Sequence, residues 1–217
     1  MKFTTAITTV LLIAIATRTY ADTAGTKPCV CCQKDAVETK APNSCCKEEA
    51  PTAPISKESI YQLDARFTDD AGKPFALDVL RGCTVVLDMF FASCGYACPI
   101  TVTDMVAIQN RLPAALRANA TFVLVSFDVA RDTPQALAKY RIERSLDKHW
   151  ILLHGDDGGV RELAALLGVK YKQDASGSFS HSNILTVLNQ QGEISYQHVG
   201  LSGGINELVA ATVAADK

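Results

Sequence analysis

Two cysteines four residues apart, Cys94 and Cys98, stand in the stretch Phe90-Phe91-Ala92-Ser93-Cys94-Gly95-Tyr96-Ala97-Cys98-Pro99. An apolar, β-branched run precedes them. Pro99 suits the first turn of a following helix. At such a strand-to-helix junction, unpaired N–H groups and the positive end of the helix dipole favour thiolate over thiol. Cys-x-x-Cys is the usual dithiol spacing, and here one further residue intervenes. The wider bite still permits a disulfide, and it also suits two thiolates clamping one metal ion. His181, within Phe179-Ser180-His181-Ser182-Asn183, is the candidate third donor. Two thiolates and an imidazole suit copper, sulfur for Cu(I) and nitrogen for Cu(II). A loop histidine is ordinarily a solvated polar residue, so the case for His181 rests on its place in the fold.

Five more cysteines crowd into one short segment as Cys29-x-Cys31-Cys32, twelve residues, then Cys45-Cys46. Around them, residues 22–57 are rich in Ala, Thr, Pro, Lys and Glu and poor in large aliphatics, the composition of a flexible tail or linker. Three readings stay open for these cysteines: accessory capture of a soft metal ion, disulfides, or neither. Ahead of the tail, Lys2 is followed by fifteen uncharged residues, with an apolar stretch from Ala6 to Ala16 and small Ala21 at a suitable cleavage point. This reads as a cleaved secretory signal over residues 1–21, shorter than the roughly 17–25 apolar residues of a membrane span. The mature chain is expected in an oxidising compartment, the periplasm, meeting membranes only through a partner.

From residue 58 to 217 the text is that of one globular domain. Tyr61 to Phe67 alternates like an edge strand. Thr84–Phe91, Thr121–Phe127 and Trp150–His154 read as buried strands. Helices are expected over Pro99–Leu116, Thr133–Leu146, Val160–Leu167 and Ile205–Ala214. A hairpin over Asn183–Leu188 and Glu193–Val199 turns at Asn189-Gln190-Gln191-Gly192. Strands alternate with helices, and a hairpin and helix close the chain. This is an α/β, thioredoxin-like fold with a central mixed β-sheet flanked by helices and extra N-terminal strands. In such a sheet the loop before the hairpin lies beside the first strand–helix junction. Thioredoxins hold a cis-proline there; this chain has no proline after Pro134, and His181 takes the place facing the cysteines.

Over about Ile60 to Leu201 the chain resembles the Sco/SenC family of copper-binding proteins. The resemblance is carried by Cys94-x-x-x-Cys98-Pro99, by Ser126-Phe127-Asp128-x-x-Arg131-Asp132-Thr133-Pro134 and by Phe179-Ser180-His181-Ser182, in that order. It implies a copper site of Cys94, Cys98 and His181. It also implies delivery of copper to the dinuclear site of cytochrome c oxidase subunit II or a similar cuproprotein, with a copper donor chaperone upstream. Asp128 matches the family aspartate and, with Tyr96, is expected to help partner docking. Many family members carry Pro-Asp after the first cysteine; this chain has Gly95-Tyr96-Ala97.

A second reading is a thiol–disulfide oxidoreductase, with Cys94 and Cys98 as its catalytic dithiol reducing the cysteines of that copper site. A thiol peroxidase fits worse, because it needs one isolated cysteine. Composition excludes other classes. The 217 residues are 48% hydrophobic and 20% charged, with net charge −2 and 7% aromatics. There is no basic excess to neutralise phosphates and little to stack on bases, so nucleic acid is not an expected partner. Cys83 is expected as a buried or edge thiol. Asp88 is read as a structural core polar residue, the alternative being a place beneath the cysteine loop. Asp156 and Asp157 read as helix caps rather than cation ligands.

Overall fold

The computed structural model describes residues 54–216 apart from Ser176. Three strands form the middle of the molecule: β3 (Val85–Phe90), β4 (Thr121–Ser126) and β5 (Trp150–Gly155). They pair in parallel, with β4 between the other two. Every residue of β3 and β4 is buried, which is why both read as unbroken apolar runs rather than alternations. Short strands β1 (Phe67–Asp69) and β2 (Pro74–Phe75) extend the sheet antiparallel beyond β5. On the other flank, β8 (Ile184–Leu188) pairs antiparallel with β3, and β9 (Ile194–Val199) forms the outer edge. The seven-stranded order is β2-β1-β5-β4-β3-β8-β9, a mixed sheet as expected for a thioredoxin-like fold.

Five helices cover it: α1 (Ala97–Arg111), α2 (Ala114–Asn119), α3 (Pro134–Glu143), α4 (Asp157–Leu167) and α5 (Ile205–Ala215). Two are capped as the sequence requires. Thr133 accepts from the Ala136 N–H ahead of α3, with Pro134 in the first turn, and Asp156 accepts from the Gly159 N–H ahead of α4. Asp157 pairs with Arg161 one turn on, at 2.8 Å. The core runs through the sheet. Trp150 lies stacked on Phe122 with centroids 5.2 Å apart, and its indole N–H donates to Gln109 at 3.0 Å.

The structure departs from the sequence expectations in three places. The single helix expected over Pro99–Leu116 is two, because Pro113 forces Leu112 into extended backbone. The expected edge strand over Tyr61–Phe67 is a 3-10 turn (Ile60–Gln62) and an irregular stretch before β1. Here local capping outweighs alternation. The Ser59 hydroxyl accepts from the Tyr61 N–H at 3.1 Å and donates to the Gln191 carbonyl at 2.6 Å. The Tyr61 ring then lies over Gly192, where an added Cβ would come within 2.3 Å of it. Third, a separate two-stranded hairpin, β6 (Tyr171–Gln173) and β7 (Phe179–His181), precedes β8. Its strands are three residues each and half-buried to exposed, too short for a periodicity signal.

The folded domain reaches slightly further back than residue 58. Ile55 packs against the core, and the Ser56 hydroxyl donates to Glu193 at 2.6 Å. The expected signal, residues 1–21, and the five cysteines Cys29, Cys31, Cys32, Cys45 and Cys46 lie outside the described residues. Among the described residues no helix is long and apolar enough to cross a membrane.

Candidate metal centre

The buried strand β3 delivers the chain to the cysteine loop, and α1 carries it away. Cys94 lies in the loop and Cys98 in the first turn of α1. The geometry folds the loop back on itself: the Cys94 N–H donates to the Phe91 carbonyl at 3.1 Å, and the Cys98 N–H points at the Cys94 sulfur at 3.4 Å. Both cysteines are free thiols, Cys94 partly exposed and Cys98 buried.

Their electrostatics diverge. Partial burial pushes the Cys94 thiol up, but hydrogen bonds from the backbone of Cys98, Tyr96 and Ala97 and from the Cys98 side chain outweigh it, and the net shift is downward. Cys98 moves strongly upward. Burial is the main cause, with the neighbouring Cys94 and Asp88 adding to it against one hydrogen bond from Phe91. The loop therefore presents one accessible, thiolate-prone sulfur above one shielded, proton-holding sulfur.

His181 arrives from the far side, at the end of β7. Its Nε2 lies 3.9 Å from the Cys98 sulfur. Its Nδ1 lies 3.2 Å from the Ser182 carbonyl. A carbonyl oxygen can only accept, so the neutral ring carries its proton on Nδ1 and turns the Nε2 lone pair to the cysteines. Burial lowers the His181 pKa and so favours that neutral, ligating form, an effect partly offset by the hydrogen bond to Ser182. One donor atom from each of Cys94, Cys98 and His181 lies within 4.8 Å of the others. Such a triangle can close on one soft metal ion with small side-chain movements.

An aromatic wall holds the imidazole. Phe127 lies 5.1 Å from the His181 ring, and Phe91 meets it edge-on at 6.0 Å. Phe179 packs on both phenylalanines, and Tyr171 stacks on Phe127 at 4.9 Å. The sequence reading missed this wall. Part of its signal was present in Phe91 and Phe179, which flank the donor motifs; Phe127 and Tyr171 stand apart from them in the sequence.

The remaining sites fall into place around the centre. Tyr96 is 73% exposed on the rim of the cysteine loop. Asp128 is buried and its carboxylate is occupied by Arg131, so a partner approaching there meets the guanidinium rather than the carboxylate. Asp88 is buried in β3, its carboxyl pushed up to about 8 by desolvation, and its charge adds to the upward shift of Cys98. Cys83 is buried as expected, yet it is disulfide-bonded rather than a free thiol. His154 meets the Asp132 carbonyl through Nδ1 at 3.1 Å.

A thioredoxin-like sheet with two thiols and an imidazole converging at the first strand–helix junction defines a protein built to hold a soft metal ion or exchange disulfides. Residues 55–213 match the SCO1/SenC family, and the chain belongs to that family. It is 30% identical over 142 residues to a Stutzerimonas stutzeri protein described as "Putative copper-binding protein", covering 64% of this chain and 68% of that one. Two solved structures share the fold. Bradyrhizobium japonicum ScoI, solved with copper bound, superposes with TM-score 0.60 at 19% identity over 70% of this chain and 96% of that one. BsSco is described as a member of the Sco family of cytochrome c oxidase assembly proteins, with a disulfide switch. It superposes with TM-score 0.61 at 21% identity over 70% of this chain and 90% of that one.

Proposed function

We propose that this chain is a periplasmic copper carrier that binds copper through Cys94, Cys98 and His181. It delivers the ion to the dinuclear copper site of cytochrome c oxidase or a similar cuproprotein. The observation that carries this reading is the donor triangle, with the imidazole lone pair aimed at the cysteines. Family membership and copper-bound relatives support the choice of metal. The disulfide at Cys83 supports an exported location, since disulfides persist in oxidising compartments.

Transfer follows from the unequal exposure of the donors. A partner docks over the loop, meeting Tyr96 and the partly exposed Cys94. A thiolate or imidazole of the partner replaces Cys94 first, because that sulfur is reachable. Buried Cys98 holds the ion until the partner's second ligand arrives, so copper is never released free. The test is an anaerobic Cu(I) competition titration of the reduced protein beside His181→Ala. This site is expected to contribute one tight equivalent, weakened more than about 100-fold without His181, whatever the tail cysteines take up besides. Losing a direct ligand should exceed the 10–100-fold typical of supporting residues. Tight binding indifferent to His181 would overturn the three-donor site.

The contrast between the two thiols favours a second reading of the same loop, reduction of the acceptor's cysteines. The Cys94 thiolate attacks one sulfur of the partner disulfide, forming a mixed disulfide and releasing one partner thiolate, which takes a proton. Cys98 then loses its proton and attacks the Cys94 sulfur, releasing the second partner thiol. Two electrons pass to the partner and Cys94–Cys98 ends oxidised. This chemistry needs no imidazole, so His181→Ala should retain disulfide reduction while losing copper transfer.

A further inference from the structure

The hairpin that carries His181 is weakly built. Its two strands have three residues each, and they form a sheet of their own outside the seven-stranded one. An isolated two-stranded ribbon is marginal in water, so something besides a backbone ladder must hold His181 at its distance from the cysteines.

The loop between β4 and α3 reaches both ligand-bearing segments. Asp132 is 3% exposed. Its carboxylate accepts from the Ala92 N–H at 2.8 Å, two residues before Cys94, and from the Ser126 hydroxyl at 2.6 Å. The adjacent Arg131 reaches the other way. Its Nε donates to the buried Asp128 carboxylate. Its Nη2 donates to the Gly177 carbonyl at 2.5 Å, in the turn of the hairpin. The guanidinium carbon sits 5.8 Å from the centroid of Phe179, two residues from His181. The loop is itself braced: the Asp128 N–H donates to the Ser126 hydroxyl at 3.0 Å, and the Asp128 carbonyl accepts from the Asp132 N–H at 3.0 Å.

We propose that residues 128–132 form a clamp that registers His181 against Cys94 and Cys98, with Arg131 as a positioning residue that acts through His181 and does not touch the metal. The inference rests on the copper-carrier reading. Its energetics are those of a binding-competent fraction: the apparent dissociation constant rises as the fraction of hairpins holding His181 in place falls. Releasing the clamp so that about one hairpin in ten is in place raises that constant about tenfold.

The test is a double-mutant cycle on the full chain with Cu(I) as the probe, joined to amide hydrogen exchange over residues 171–182 without metal. Arg131→Ala is expected to weaken Cu(I) binding about tenfold and to speed exchange in the hairpin. In a His181→Ala background the same substitution should change affinity less than about twofold, since its route to the metal is already gone. An equal loss in both backgrounds would overturn the clamp, because Arg131 would then act on general stability. Hairpin exchange unchanged by Arg131→Ala would overturn it whatever copper does. Failure of the copper reading looks different: wild type and His181→Ala bind alike, while exchange still reports on the clamp.

Discussion

The two halves of the metal centre are built in opposite ways. The cysteine half grows from β3, all of whose residues are buried, and from the first turn of a fifteen-residue helix. Backbone hydrogen bonds and the core fix it. The histidine half sits on a hairpin of two three-residue strands outside the main sheet, held by ring contacts and by the guanidinium groups of Arg131 and Arg161. The difference teaches where adjustability lies. On the carrier reading proposed above the protein must grip an ion and let it go, and segments of low local stability are the ones that move. The cysteines supply a fixed cradle whose one exposed sulfur, Cys94, is the donor a partner can reach, and the imidazole is the donor whose position the fold can most cheaply adjust.

The largest test of this contrast is Cys98→Ser. It should abolish one-to-one Cu(I) binding in the competition titration. Alkylation of Cys94 at neutral pH should stay fast, because serine keeps the N–H that faces the Cys94 sulfur. Slow alkylation would mean that the cysteine half is less rigid than its backbone bonds imply.

The next effect is a dependence of stability on pH rooted in the cysteine half. The Asp88 carboxyl is raised from 3.8 to about 8 by burial. Between those values the folded chain holds a proton that the unfolded chain has lost, so stability falls as pH rises through the window. Asp88→Asn should remove that fall. Its advantage over wild type in chemical denaturation should grow from none near pH 4 to a few kcal/mol near pH 8. Parallel pH curves for the two proteins would show that Asp88 is ionised and paired in the fold.

The smallest effect falls on the histidine half. Phe179→Leu keeps an apolar side chain but removes the ring that Phe91, Phe127 and Arg131 pack against. Aromatic pairs of this kind contribute about 1 kcal/mol, so copper affinity should fall a few-fold in the competition titration, with Cys94 alkylation unchanged. A loss as large as that of His181→Ala would make the ring part of the cradle rather than of its support.

Cys94 and Cys98 were legible because a buried strand running into a proline-started helix announces its junction in composition alone. His181 was legible through its family element and its place before the β8–β9 hairpin. Its own hairpin was not, because strands of three residues, none of them fully buried, leave no periodicity. Arg131 and Asp132 were visible as part of a motif, yet nothing local says that neighbouring side chains reach in opposite directions. Asp128 shows the same limit: its residue type fits a docking surface, and only packing reveals that its carboxylate is buried under Arg131. Cys83 shows it again, since a lone cysteine beside a core strand carries no mark of its disulfide.

The sequence by itself determined the mixed α/β architecture, the junction that holds two thiols and the three residues able to hold a soft metal ion. These depend on runs of apolar residues, caps and motif spacing, all properties of near neighbours along the chain. The tertiary structure decided which sulfur is reachable, which imidazole nitrogen carries the proton, and what braces the histidine against the cysteines. Those depend on burial and on contacts such as that between Cys98 and His181, 83 residues apart. Separations of that kind acquire a distance only when the chain has folded.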